Sequence, residues 1–226
     1  MLHLLHNRLP HHQSQHEYST YIFDLDGTLL NTLGDLTASV NYALRRQGMP
    51  LRTLDEVQRF VGNGVHTLVM RAIPEDTAPD VAEETFSLFR DHYALHALDT
   101  TAPYPGIPQL LARLKAAGKN IGVVSNKLHA ATCQLCRTFF PDTVQVAIGE
   151  GNGISRKPSP DTVVEALRQL GVSHDDAVYI GDSEVDILTA RNSGLPCLSV
   201  LWGFRSRDFL IAHGATHLVS APEEIF

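Results

Sequence analysis

After Pro103 the chain repeats one grammar to its end, in which a stretch of helical period is followed by a turn and then by a short apolar run. Apolar runs separated by whole helices cannot pair as tight hairpins. They need crossover connections, and so they lie side by side in a parallel sheet with helices on both faces. A helix over 107–117 ends at Gly118, and strands are predicted at 121–125, 145–148, 177–180, 197–201 and 216–219. One further run, Tyr21-Ile22-Phe23, stands far upstream and stops at Asp24-Leu25-Asp26-Gly27-Thr28.

Between that first strand and Pro103 the pattern is helical only. Residues 31–49 carry Leu33, Leu36, Val40, Ala43 and Leu44 at helical spacing, closed by Gly48 and Pro50. Thr53 with Glu56 three residues on spells a capping box for a helix over 53–61. Gly62-Asn63-Gly64 interrupts the pattern, and helices resume over 65–73 and 78–98. The expected fold is therefore α/β, a Rossmann-like doubly wound parallel sheet with an inserted all-helical cap. Residues 19–33 and 104–226 form the core, and residues 34–103 form the cap. The Pro-rich stretch 103–108 and a turn at Leu33-Gly34 are the expected hinges. Residues 1–18, which hold His3, His6, His11, His12 and His16, read as a disordered extension with metal binding a minor alternative.

Composition excludes several classes. Eighteen Lys and Arg against 25 Asp and Glu give a formal charge of -7, the wrong sign for a nucleic-acid or anionic-membrane binder. No apolar run approaches the roughly 20 residues of a bilayer span, and no secretory signal opens the chain. A cytoplasmic monomer or homodimer is expected. Cys133, Cys136 and Cys197 read as reduced core thiols, since Cys133 and Cys136 lack the second ligand pair of a zinc site.

Ligands of open parallel sheets gather beyond the carboxyl ends of the strands. Four polar clusters stand at such places: Asp24 and Asp26; Ser125-Asn126; Lys157-Pro158-Ser159-Pro160; and Asp182 with Asp186 in Gly181-Asp182-Ser183-Glu184-Val185-Asp186. Carboxylates gathered at one sheet edge raise each other's pKa unless a cation intervenes. Oxygen ligands point to the hard ion Mg²⁺, which commonly shares its shell with a phosphate. Ser125, Lys157 and backbone N–H groups near Leu25, Gly27 and Asn126 are the candidate phosphate donors.

In this order, Tyr21 to Leu29, Val124-Ser125-Asn126-Lys127, Lys157 to Pro160 and Gly181 to Asp186 resemble the four motifs of the haloacid-dehalogenase-like phosphohydrolase superfamily. The resemblance implies Asp24 as nucleophile, forming an aspartyl-phosphate, and Asp26 as acid and base. It further implies Mg²⁺ held by Asp24, Asp182 and the Asp26 carbonyl, with Asp186 bound directly or through water, and Ser125 and Lys157 on the transferring phosphoryl group. Residues 60–73 of the cap resemble the matching segment of phosphoglycolate phosphatases, where Gly62, Asn63 and Gly64 would offer backbone donors to a small carboxylate. A plain helix–helix turn is the other reading of that segment. The implied activity is hydrolysis of a small phosphomonoester, 2-phosphoglycolate first. A pyrophosphatase, a sugar-phosphate phosphatase, a β-phosphoglucomutase-like phosphotransferase and a non-catalytic binding protein remain as alternatives. One departure stands out: Asn31-Thr32 replaces the acidic residue that relatives often carry after the first motif. His66, Arg45, Arg46, Arg59 and Arg71 read as surface or packed cap residues rather than site groups.

Overall fold

The computed structural model describes residues 18–151 and 153–226. The expected extension thus lies outside the described residues except for Tyr18. Strand β1 (Thr20–Phe23) is buried along its whole length. It leads to β2 (Leu30–Asn31) and four helices, α1 (Leu33–Arg46), α2 (Leu54–Phe60), α3 (Val65–Ala72) and α4 (Pro79–His96), then to β3 (Ala102–Pro103). The alternating part follows as α5 (Ile107–Ala116), β4 (Asn120–Leu128), α6 (His129–Phe139), β5 (Val146–Glu150), α7 (Asp161–Leu170), β6 (Ala177–Gly181), α8 (Glu184–Asn192), β7 (Cys197–Val200), α9 (Arg207–Ala212) and β8 (His217–Val219).

All six expected strands join one sheet in the order β5-β4-β1-β6-β7-β8, with every pairing parallel. The two-residue alternation of side chains divides the core. Tyr21, Phe23, Val178 and Ile180 face one cluster with Leu110, Leu111 and Leu114 of α5 and Leu135 of α6. Ile22, Ala177 and Tyr179 face the other, with Val163, Ala166 and Leu167 of α7. Strand β4 outruns its predicted end at residue 125. Its ladder with β5 shifts register between Val124 and Leu128, so Ser125, Asn126 and Lys127 fall in the irregular stretch. Such irregularities re-aim side chains, and here they do so at the sheet edge where ligands gather.

The four helices of the insert have their own core. Every apolar position predicted to repeat in α1 is buried, packed with Leu68 and Val69 of α3 and Phe89 and Tyr93 of α4. The capping box of α2 forms as read, with Glu56 N–H donating to Thr53 Oγ1 at 3.2 Å and Thr53 N–H to Glu56 Oε2 at 2.7 Å. Phe204, from the loop after β7, completes this cluster from the core side. Among the described residues no helix is long and apolar enough to cross a membrane. The three cysteines are free; burial pushes the Cys136 and Cys197 thiols up to about 12, so both stay protonated.

The expected turn at Leu33-Gly34 is instead the first turn of α1. Chain entry and exit are joined by an antiparallel ribbon pairing Leu30 with Pro103 and Asn31 with Ala102. Two residues per strand are too short to carry a periodic signal. Asp35 secures the junction: its buried carboxylate accepts from Thr100 N–H and Oγ1 (2.9 and 2.6 Å to Oδ1) and from Thr101 N–H and Oγ1 (2.9 and 2.8 Å to Oδ2). Burial alone would raise its pKa, but these hydrogen bonds bring it below the ordinary value. Asp35→Ala should cost about 3 kcal/mol in urea unfolding at pH 7, because four donors lose a charged acceptor. A depressed folded pKa stabilises above the unfolded value of about 3.9 and is lost as pH falls through the folded one. The difference between wild type and variant should therefore shrink between pH 5 and pH 2.5; a constant difference would show that the carboxylate charge is not what the threonines hold.

Candidate active site

The first motif begins where β1 ends. Asp24 N–H continues the ladder to Ile180 O at 2.9 Å, which sets its side chain between the ends of β4 and β6. The chain then doubles back: the N–H groups of Thr28, Leu29 and Leu30 all donate to Leu25 O, and Gly27 N–H donates to Leu30 O. Leu25, Leu29 and Leu30 anchor this loop in the core. Gly27 has φ +82, and a Cβ there would collide with the Asp182 carboxylate. Its function is thus to let Asp182 approach. The expected role of its N–H as a substrate donor is not met, since the turn consumes that group.

One buried ammonium ties the strand ends together. Lys157 Nζ lies 3.0 Å from Asp24 Oδ1 and 2.8 Å from Asp186 Oδ1, and donates to Tyr179 Oη at 3.0 Å. Asp186 is saturated. Its Oδ1 accepts from Lys157 and Tyr179, and its Oδ2 from Asp182 N–H, Ser183 N–H and Ser183 Oγ, the last at 2.7 Å. Ser183 and Asp186 form the capping box of α8, which fixes this orientation. Asp182 is held more lightly, by Thr28 Oγ1 at 3.0 Å and Phe204 N–H at 2.7 Å, one donor on each oxygen.

The three carboxylates differ in their electrostatics. Burial, then Asp186 and more weakly Asp182 and Asp26, raise the Asp24 pKa well above the carboxylate range despite Lys157. Burial and Asp186 push Asp182 up to about 7 against the donors from Phe204 and Thr28. Asp186, although equally buried, is brought below its ordinary value by Lys157, Ser183 and Tyr179. Oxygen atoms of Asp24, Asp182 and Asp186 lie within 4.8 Å of one another. Asp24 and Asp182 retain acceptor capacity and suffer the repulsion a cation would relieve, so they fit a hard divalent ion. Asp186 belongs to the same group of three but already accepts hydrogen bonds on both oxygens.

A cavity lies over these groups. Its floor is Asp24, Asp26, Ser125, Asn126, Lys157 and Asp182; Leu36, Val61, Val65 and Leu68 of the helical layer roof it, with Gly62 and Gly64 at one side. Several bonds join roof to floor. Arg205 donates to Gln58 O at 3.0 Å and Val61 O at 2.6 Å while pairing with Glu184; Gln58 donates back to Phe204 O at 2.8 Å. Asn126 Nδ2 reaches both Lys157 O and Gly62 O, and Lys157 N–H donates to Asn126 Oδ1. Ser125 is buried, its Oγ accepting from Lys127 N–H at 3.2 Å.

Three expected site residues do not line the cavity: Gly27, Asn63 and Asp186. The Asn63 oxygens hold two arginines, Oδ1 accepting from Arg71 and the carbonyl from Arg156. Gly62 and Gly64, at φ +131 and +86, make the turn that brings the start of α3 to the roof. His66 is a surface residue paired with Glu83 at 2.8 Å, as its helical context suggests. Lys127, Tyr179 and Tyr93 were not expected. Lys127 is buried with its Nζ 3.1 Å from Asp26 Oδ1. Ser183-x-x-Asp186 carried a legible capping signal, whereas nothing local marks a strand tyrosine or a helix tyrosine as a site residue.

Residues 21–200 match the haloacid dehalogenase-like hydrolase family. The chain belongs to that family. A phosphoglycolate phosphatase of Caulobacter vibrioides is 35% identical over 190 residues, covering 82% of this chain and 80% of that protein. One of Xanthomonas campestris pv. campestris is 33% identical over 208 residues, covering 91% and 93%. Among solved structures, a Lactobacillus delbrueckii subsp. bulgaricus protein, provisionally named a phosphoglycolate phosphatase, superposes with a TM-score of 0.88 at 39% identity, covering 92% of this chain and 97% of that one. CbbY from Rhodobacter sphaeroides in complex with phosphate gives 0.72 at 26% identity, covering 92% and 96%. With this family and these phosphatase relatives, the protein is an enzyme, a phosphoric monoester hydrolase.

The raised carboxylates set a pH dependence. An acid whose folded pKa is raised stabilises the fold below its unfolded pKa, and that contribution is lost as pH rises through the folded value, here about 7 for Asp182. Metal-free protein should therefore lose thermal stability from pH 5 to pH 8. A divalent cation replaces the missing proton, so its addition should raise Tm more at pH 8 than at pH 5.5. Equal shifts at both pH values would remove these carboxylates as the metal site.

Proposed function

We propose that the protein is a Mg²⁺-dependent phosphatase that hydrolyses a small phosphomonoester, 2-phosphoglycolate first, through an aspartyl-phosphate on Asp24. The observation that carries this reading is Asp24 itself: a buried carboxylate at the central strand end, 3.0 Å from the Lys157 ammonium and facing the cavity with Ser125 and Asp182. An Asp24 oxygen attacks phosphorus in line, the P–O ester bond breaks, and Asp26 gives its proton to the departing alkoxide. Asp26 then takes a proton from the water that attacks the acyl phosphate, which releases inorganic phosphate and restores the Asp24 carboxylate. Ser125 and Lys157 hold the phosphoryl oxygens through both steps, where charge accumulates. Mg²⁺, held by Asp24, Asp182 and the Asp26 carbonyl, would supply charge neutralisation at the phosphoryl group. Asp186 serves by fixing Lys157 and the start of α8.

The helical cap over residues 34–103 is the part that reads the leaving group. Leu36, Val61, Val65, Leu68 and Phe204 give its roof a largely apolar surface. That favours a leaving group of few atoms. The substrate is a soluble metabolite, met in the cytoplasm.

Phosphate release should be measured for 2-phosphoglycolate, pyrophosphate, sugar phosphates and nucleoside monophosphates, with Mg²⁺ and with EDTA. Turnover should require Mg²⁺ and favour 2-phosphoglycolate. Asp24→Asn should lower kcat by at least about 10⁴-fold with an unchanged circular dichroism spectrum, as expected when a covalent nucleophile is removed. Appreciable activity in that variant would dismiss Asp24 as the nucleophile.

A further inference from the structure

Three buried polar atoms without a hydrogen-bond partner converge where the cap meets the core: Lys127 Nζ, Tyr93 Oη and Asp26 Oδ1. Among the described residues only Thr32 Oγ1 and Thr162 Oγ1 share that condition, and each stands apart in the chain. Lys127 Nζ lies 3.1 Å from Asp26 Oδ1 at angles that make no hydrogen bond, and 4.6 Å from the centre of the Tyr93 ring. The Lys127 side chain is 1% exposed, and Tyr93 is 4% exposed. Lys127 carries three N–H donors and has the Asp26 carboxylate beside it at 3.1 Å, so it keeps donors for a further acceptor, and Tyr93 Oη stands next to the same ammonium. When Asp26 carries the proton it gives to the leaving group, the Lys127 charge has no anion opposite it, so the incoming group that suits it is an acceptor with negative charge.

Its position follows from the chemistry. To protonate the leaving oxygen, Asp26 must come within about 2.6–3.2 Å of it. Lys127 sits at the same distance from the Asp26 carboxylate and lines the same cavity, so its ammonium lies beside the leaving group rather than beside the phosphoryl oxygens held by Lys157. Val65, at the start of α3, lines this cavity and also the neighbouring one formed with Tyr93 and Lys127. The first paired N–H of that helix is Leu68 to Gly64 O, which leaves the N–H groups of its opening turn as further donors.

We propose that Lys127 and Tyr93 form an anion subsite for a carboxylate on the leaving group, and so confine the enzyme to phosphomonoesters whose alcohol carries negative charge next to the ester carbon. This rests on the phosphatase reading above and adds the residues that set its specificity. Lys127 comes from the irregular end of β4, on the core, and Tyr93 from α4, in the cap. The subsite is therefore complete only when cap and core are together, and a charged leaving group favours the closed arrangement.

The test compares 2-phosphoglycolate with 2-hydroxyethyl phosphate, an ester of similar size that lacks the carboxylate. Binding is measured by calorimetry with Mg²⁺ in the Asp24→Asn protein, and kcat/KM in the active protein. The carboxylate ester should bind at least about 30-fold tighter, in line with the loss expected when buried polar groups are left unpaired. Lys127→Met should bring that ratio near one, and Tyr93→Phe should narrow it about fivefold. The ratio between the two esters is the readout, because a merely structural role for either residue would weaken both esters alike. A ratio near one in the parent protein, or an unchanged ratio in both variants, would overturn the subsite. Retained binding preference without turnover of either ester would sink the phosphatase reading and support the subsite; turnover of both esters with no preference would do the reverse.

Discussion

The Lys157 ammonium is the interaction on which the rest of the site depends. It is buried, it faces Asp24 and Asp186 at 3.0 and 2.8 Å, and it links the loop before α7 to the ends of β1 and β6. Burial alone would lower its pKa, yet the two carboxylates hold it above the ordinary value, so it remains charged. Without that charge, carboxylates from two strand ends would face each other in a low-dielectric space. Removing one partner of such a set leaves an uncompensated buried charge, which is why the pieces stand or fall together. Tyr179 and the Ser183–Asp186 capping box complete the arrangement by using every acceptor position of Asp186. Asp182, with one donor on each oxygen, is less fully bonded than Asp186.

A second constraint is closure. Arg205 spends its donors on Gln58 and Val61 of the cap and on Glu184 of the core, and Asn126 bridges Lys157 to Gly62. Phe204 sits in the hydrophobic cluster of the cap while its N–H holds Asp182. A residue that belongs to the cap core and also holds the Asp182 carboxylate couples the packing of the cap to the electrostatics of the floor. Excluding water strengthens every charge interaction there, which suits a reaction that accumulates charge on phosphorus oxygens.

Much of this was legible in one dimension. The parallel sheet followed from helix and strand periods alternating after Pro103, and the cap from their absence before it. Asp24, Asp26, Ser125, Asn126, Lys157 and Asp182 stand where strand ends place them, and all line one cavity. Where sequence and structure differ, the cause is tertiary. The Gly27 N–H expected near a substrate is bonded within its own turn, and the turn expected at Leu33-Gly34 lies in α1 beside a ribbon whose two residues per strand have no period. Asp35 escaped notice altogether, since the threonines that hold it lie 65 and 66 residues away.

By itself, then, the sequence determined the sheet, the insertion of helices after its first strand, and the identity of the groups at the strand ends. Periodicity and burial are local properties, and a strand end is a local event. Tertiary structure alone decided how the acceptors and donors are shared out: which carboxylate is saturated, which retains capacity, and which aspartate of the first motif each buried lysine faces. Lys127 and Lys157 are the same residue type, each buried beside an aspartate of the first motif. What separates them is the register shift near the end of β4 and the packing of Tyr93 against it, and neither exists until sheet and cap come together.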